Sequence, residues 1–535
     1  MCFVCFVVKY LRLSRFTRAR DRFRPHLPAP SHSRVFFCAA VCFLAAITSG
    51  CSKQKSASAS LAHAEAAPQI LRLAQRNEPA DLDPATATLP DEFFVIRALN
   101  EGLLTAGSDG RTPTPALASR WEISADALVY TFHLRPEARW SNGDRVTAAD
   151  FIASYRRLLS PATAATKAPL FFAVKNARAF ATGTLTDFSL VGFAAPDALT
   201  LVVTLAQPNP AFLLYAASGP WLPVHPATVA THGRTWTQPA HHIGNGPFTL
   251  AEWRQNQRIV VKKNPAYRAA ADIRVDEIHF LRFDSGDTEE RAYRAGQVDV
   301  TMSVPVTKIA TYARERPAEL QRTPLAETRY LAFNTTRPPL DDPAFRRALS
   351  DAIDREKIVD RVLLGGQQAA RSFIPPALAP SPVVPTESAP KLFPNVGTIR
   401  LELTGWSQTP VLEAIQAMWR EKLGLNVTIA LRDAKVHVAA LRAGAYDIGF
   451  ITEIPDVADP ALVLAQFTTG APGNYPHWSD ARYDAAPSEA LLLASAPVAP
   501  LYFNTKNWLK SPRVQGWRED PFWTRDYTAV HLAAP

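Results

Sequence analysis

Leu128, Tyr130, Phe132 and Leu134 alternate with Val129, Thr131, His133 and Arg135. A two-residue period sends the two sets to opposite faces of a pleated strand, so this stretch predicts a half-buried strand. Leu199, Leu201, Val203 and Leu205 repeat the pattern, and residues 70–74 predict a first strand. Between the two longer strands the period changes to that of a helix. Phe151, Ser154, Tyr155, Leu158 and Leu159 share one helical face, and Thr147 with Asp150 has the spacing of a capping box.

A second helix is predicted to open at Asp342, a capping residue, with Pro343 in its first turn. Its apolar stripe is Phe345, Ala348, Leu349, Ala352 and Ile353, continuing to Ile358, and Gly365-Gly366 is expected to stop it. Arg346 and Arg347 fall on the polar side, which predicts a solvated face. Strands over 400–404, 425–431 and 446–451 then alternate with helices over 411–423 and 436–442. Such alternation implies parallel pairing with right-handed crossovers. The pattern therefore predicts an α/β protein with an antiparallel, strand-rich insertion around 113–241.

Composition changes this picture at one end only. The chain has 535 residues, room for two or three domains, and 45 prolines, too many for a simple helical bundle. Its net charge of +9 suggests nucleic acid until it is located. Eight of the 58 basic residues and one of the 49 acidic residues lie in the first fifty positions, leaving 50 against 48 in the body. A nearly neutral body lacks the charge excess that phosphate binding requires, so no nucleic-acid partner is expected. All five cysteines (Cys2, Cys5, Cys38, Cys42 and Cys51) also lie in this end. No disulfide, thiolate metal site or cysteine nucleophile is available after Cys51.

Residues 35–47, "VFFCAAVCFLAAI", form an uncharged apolar run after Arg34. Thirteen residues are too few for a bilayer span, which needs about 20, but suit the core of a secretory signal. Thr48-Ser49-Gly50-Cys51 follows and resembles a bacterial lipobox, with Thr48 where an aliphatic residue is usual. Cys51 is the expected lipidation site, an ordinary signal peptide cut nearby being the alternative. Residues 1–50 are thus read as a signal region, of which 1–33 fit a mis-assigned start. Residues 51–69 are read as a flexible tether, poor in aromatic and β-branched residues.

The body carries no G-x-S-x-G elbow, no H-E-x-x-H and no P-loop, and "GNGPF" at 244–248 lacks the third glycine of a dinucleotide site. His241 and His242 are adjacent, so their rings point apart. Asp456 and Asp459 in "EIPDVADP" can be read as paired carboxylates for acid–base work or as caps in a loop. No enzyme, metal or cofactor is expected.

Longer strings carry a resemblance. They are "LDP" at 82–84, "EGLL" at 101–104, "TFHLRPEARWSNGDRVTAADF" at 131–151, "NGPF" at 245–248, "KNPAY" at 263–267 and "LAFNTTRPPLDDPAFRRALSDAIDREKI" at 331–358. In this order and spacing the chain from about 70 to 535 resembles the family 5 extracellular solute-binding proteins, the oligopeptide- and dipeptide-binding components of ABC importers. The resemblance implies a type II periplasmic-binding-protein fold: two lobes joined by a hinge, with an extra strand-rich subdomain. Lobe I would comprise 70–112, 242–327 and 505–535, the inserted subdomain 113–241, and lobe II 328–504. It further implies short peptides enclosed between the lobes, delivery to permease subunits of an ABC transporter, a place in the periplasm or cell envelope, and a monomer anchored to a membrane by its lipid.

Site residues follow from the same resemblance. In peptide-binding relatives an aspartate ten residues beyond the start of a Tyr-Asp-(Val/Ile) strand holds the ligand amine, and counting from Tyr446 reaches Asp456. This fits a simple requirement, since a buried ammonium needs an acidic partner. Thr88, Leu89 and Pro90 would supply a backbone edge near the peptide start, and Asn245 and Gly246 would sit near the hinge and cleft. Phe450 and Glu453 stand where peptide binders often have arginine and tryptophan. That departure keeps a non-peptide ligand open: a nickel chelate, haem, an oligosaccharide or an opine. Two further readings are a secreted hydrolase using Asp456 with Glu453 or Asp459, and a degenerate paralogue acting as sensor or chaperone. The segment between "ARYDAA" and "APVAPLYF" is shorter than usual in the family. That shortening either trims a peripheral helix or compromises folding or closure.

Overall fold

The computed structural model describes residues 68–379 and 398–533; the signal region, Cys51 and the tether lie outside the described residues. Three of the five hydrophobic clusters among the described residues organise the sheets. The first lies in lobe I, on a four-stranded sheet in the order Ile70–Gln75, Glu277–Arg282, Arg258–Lys263, Phe248–Arg254. The first pair is parallel and the others antiparallel. Leu71, Leu73, Val261, Ile278 and Phe280 point from it into a core closed by Phe94, Val95 and Leu99 of the helix Glu92–Leu99.

The second core belongs to the insertion. Its antiparallel sheet runs Ala118–Ile123, Val129–Leu134, Thr200–Thr204, Phe193–Asp197, with Tyr130 opposite Val203 and Phe132 opposite Leu201. The alternation read from the sequence thus becomes one buried face shared by two strands. The helix Ala148–Leu159 covers that face, opened by the expected capping box: the Thr147 N–H donates to Asp150 Oδ2 at 2.8 Å. Its five stripe residues are all buried. Phe171 stacks on Trp221 at 4.2 Å between centroids, and Tyr155 meets the same indole edge-on at 4.9 Å.

The third core surrounds the six-stranded sheet of lobe II, in the order Gln368–Ala369, Val498–Leu509, Leu320–Phe333, Ile448–Glu453, Leu401–Gly405, Val427–Leu431. The last three strands are parallel, as the alternation predicted, with Thr409–Leu423 and Ala434–Arg442 as crossover helices. The strands Leu320–Phe333, of 14 residues, and Val498–Leu509, of 12, are longer than lobe II needs. Their pairing shifts register between Pro324 and Thr328, and beyond the shift the ribbon enters lobe I, where Thr301 donates to the Leu509 carbonyl and Val304 to that of Asn507. This two-stranded ribbon is the hinge.

Two expectations change. The helix opened by Asp342 spans Pro343–Asp351 and stops at Ala352, well before Gly365. The Asp354 side chain accepts the Lys357 N–H and starts a new turn, Arg355–Lys357, which continues as a π-helical turn, Ile358–Leu363. An aspartate that bonds the backbone ahead of it competes with helix continuation. The apolar stripe through Ile358 is buried all the same.

Arg346 is the second correction, for it is 2% exposed and not on a solvated face. It donates to the carbonyls of Ser495 and Ala496 at 2.7 and 2.9 Å, and Arg347 reaches that of Ala494 at 2.9 Å. These are the last carbonyls of the helix Glu489–Ser495, which lack partners inside the helix and face the negative end of its dipole. The shortened segment therefore folds as one compact helix, held by Leu492 in the core and by two guanidinium groups at its end.

Candidate functional site

Asp456 lies in the loop between the strand Ile448–Glu453 and the helix Pro460–Ala465 of lobe II. Its Oδ1 is 2.6 Å from the Lys167 ammonium, which comes from the inserted subdomain. Asp459 caps the helix by accepting the Ala461 N–H, and its other oxygen accepts the hydroxyl proton of Tyr215, also from the insertion. Between the two aspartates, Val457 is buried in the hydrophobic core of the insertion. Lobe II thus closes on the inserted subdomain through two polar pairs around one apolar plug.

Glu453 stands behind this seam. It is buried, its Oε1 accepts the Gln466 amide at 2.5 Å, and burial pushes its carboxyl up to about 7, with Asp456 adding to the effect. Phe450 is fully buried in the lobe II core, and its carbonyl accepts from His437 at 2.9 Å. Phe450 thus serves the packing of lobe II. The strand Ile448–Glu453 pairs with Leu320–Phe333 along its length but with Leu401–Gly405 only through Ile448 and Gly449. Its last residues keep one edge without a strand partner. The Thr452 hydroxyl there is buried with no hydrogen-bond partner among the described residues.

In lobe I the N–H groups of Thr88 and Leu89 both donate to Glu92 Oε2, at 2.7 and 2.9 Å, and Leu89 is exposed. The Leu89 carbonyl accepts the Glu92 N–H at 3.2 Å and Pro90 has no amide proton, so the 88–90 edge offers a ligand the carbonyls of Thr88 and Pro90. Asn245 sits at the neck where the insertion rejoins lobe I. Its amide both accepts the Glu101 N–H and donates to the Glu101 carbonyl, each at 2.9 Å. Gly246 lies against the backbone of residues 99–100, where a Cβ would come within 2.5 Å of the Leu99 carbonyl carbon. Asn245 and Gly246 clasp the neck.

The chain matches the model of the bacterial extracellular solute-binding proteins, family 5, over residues 112–475. It belongs to that family. It is 31% identical to the periplasmic murein peptide-binding protein MppA of Escherichia coli (strain K12), over 83% of this chain and 89% of the relative. It is 29% identical to the probable deoxycholate-binding periplasmic protein YgiS of the same strain, over 84% and 90%. The structure of the E. coli murein tripeptide binding protein MppA superposes with a TM-score of 0.79 at 29% identity, covering 87% of this chain and 99% of that one. Its unliganded open form gives 0.67, with 87% and 98% covered.

Family 5 strings that drew attention in the sequence prove to be joints. Asp83 of "LDP" pairs through both oxygens with Arg157 on the insertion's helix. Glu101 of "EGLL" accepts from Tyr267, the last residue of "KNPAY", and from Arg268 just after it. One cluster gave no such signal. Lys506 on the hinge ribbon is 2.5 Å from Glu519, and Arg525 is 3.4 Å from the same carboxylate, with side chains 3%, 2% and 1% exposed. Lys506 lies 4.9 Å from the ring centres of both Trp508 and Trp523, and Arg525 lies 3.5 Å from that of Phe94. Burial pulls Lys506 down to about 8. Burial also works against the Glu519 charge, but Lys506 and Arg525 outweigh it and hold the carboxyl below its usual range. Beside it Glu327 accepts from Trp523 at 2.8 Å and from Asn504 at 2.6 Å, tying the C-terminal hairpin to the hinge.

Proposed function

We propose that this protein captures short peptides in the periplasm between its two lobes and delivers them to the permease of an ABC importer, with no catalytic step. The observation that carries this is Asp456, a carboxylate at the seam that already holds an ammonium at 2.6 Å. A peptide amino terminus offers the same group to the same oxygen. The free edge of the strand Ile448–Glu453 and the carbonyls of Thr88 and Pro90 suit the backbone of an extended ligand. Asn245 and Gly246 serve by fixing the insertion over the cleft. A Haemophilus influenzae OppA structure in complex with the peptide RPPGFSPFR supports the reading, superposing with a TM-score of 0.76 at 25% identity over 87% of this chain and 99% of that one. Lipidation at Cys51 would keep a monomer of this protein beside its transporter.

Calorimetry with free and Nα-acetylated tri- to pentapeptides tests the amine anchor. Asp456→Asn is expected to lower affinity for free-amine peptides by about ten-fold or more, the scale of a lost half-buried charge pair, and to leave acetylated peptides unaffected. Equal affinities would remove Asp456 from the site. Palmitate labelling of wild type against Cys51→Ala tests the anchor, and the mass of any co-purifying ligand separates peptides from the non-peptide ligand that YgiS and Glu453 keep in view.

A further inference from the structure

Lys167 occupies the amine anchor with the protein's own ammonium. Among the described residues, Asp456 is the one carboxylate within ion-pair distance of it. The pair is neither buried nor free: the Lys167 side chain is 19% exposed and that of Asp456 31%. A ligand ammonium can reach Asp456 only by displacing Lys167, and the displaced group then needs a partner. Its neighbours offer little. Asp459 is engaged by Tyr215 and by the helix it caps. Glu453 is buried, gives one oxygen to Gln466, and holds its proton to about pH 7. A half-buried ammonium left without an anion is unfavourable, so the exchange proceeds best when the ligand supplies the anion.

Resting on the peptide reading above, we propose that Lys167 is a specificity-determining residue, which yields Asp456 to a ligand's amino terminus and selects ligands carrying a carboxylate beside that terminus, that is, short acidic peptides. The carboxylate belongs to the first or second residue, because Lys167 and Asp456 are in direct contact and a released ammonium stays within one side chain's reach.

The experiment is calorimetry of the wild type, Lys167→Met and Lys167→Arg with three probes: Ala-Glu-Ala, Ala-Gln-Ala and Nα-acetyl-Ala-Gln-Ala. In the wild type, Ala-Glu-Ala is expected to bind about ten-fold more tightly than Ala-Gln-Ala. Lys167→Met is expected to abolish that ratio and to tighten Ala-Gln-Ala several-fold, since the internal competitor is gone, and Lys167→Arg to preserve the ratio. A wild type that binds both free peptides equally, or a ratio that survives Lys167→Met, overturns the proposal and leaves the peptide reading standing. Silence of all three probes with all three proteins, each melting as the wild type does, rejects the peptide reading and this proposal with it.

Discussion

Two lysine–carboxylate pairs of similar length have opposite surroundings. At the hinge Lys506 meets Glu519 at 2.5 Å behind two indoles, with neither side chain more than 3% exposed. At the seam Lys167 meets Asp456 at 2.6 Å with both side chains partly in water. The bond length is nearly the same, so length says nothing about role. What differs is the alternative available to each ion once the bond opens. Lys506 has no solvent to turn to, and its pair is fixed in place for as long as lobe I is folded. Lys167 can be reached by another ion, and its pair can be remade with a new partner.

The largest effect should come from cutting the enclosed pair. Glu519→Ala strips Lys506 and Arg525 of the carboxylate they share, and is expected to cost about 3–5 kcal/mol of folding stability, read by denaturant unfolding. A loss no larger than that of a seam variant would collapse the distinction between the two pairs. Glu453 should come next and act through pH. Its folded pKa is raised, so the unfolded chain releases the proton first, and folding stability falls as pH climbs from 4.5 to about 7 and is level above that. The fall should be about 3 kcal/mol, and Glu453→Gln should flatten it in melts taken across that range. The smallest effect should be that of Lys167→Met on stability, within about 1 kcal/mol by the same melts, even where its effect on ligand choice is large.

Legibility in the sequence followed the range of the interactions. Residues 128–135, the Thr147–Asp150 box and the parallel strands of lobe II were readable because their patterns are written within a few positions. The stop at Ala352 was readable too, since Asp354 signals its own cap, but the unbroken apolar stripe masked it. Arg346 could not be placed, because the carbonyls that bury it are about 150 positions away and a polar residue on a helix reads as solvated. Lys167 carries no local mark, and its meaning comes from a loop 289 positions on. The hinge cluster left a fainter trace: Trp508, Trp517 and Trp523 crowd the same short stretch as Lys506, Glu519 and Arg525. Only the fold brings those indoles over the cations.

The neck has a consequence for how this cleft can change over generations. The chain leaves lobe I beyond Glu101 and returns at Asn245, and these two residues are bonded to each other. The whole insertion is thus one contiguous block, closed at its neck by this clasp and braced on lobe I by the Asp83–Arg157 pair. Both groups that meet the acidic loop, Lys167 and Tyr215, ride on it. Exchanging that single contiguous block for the block of a relative would rewrite one wall of the cleft without rethreading either sheet or touching the hinge ribbon. A new diet could be acquired by recombination at two adjacent points, in one step, while the transporter continued to meet the same two lobes.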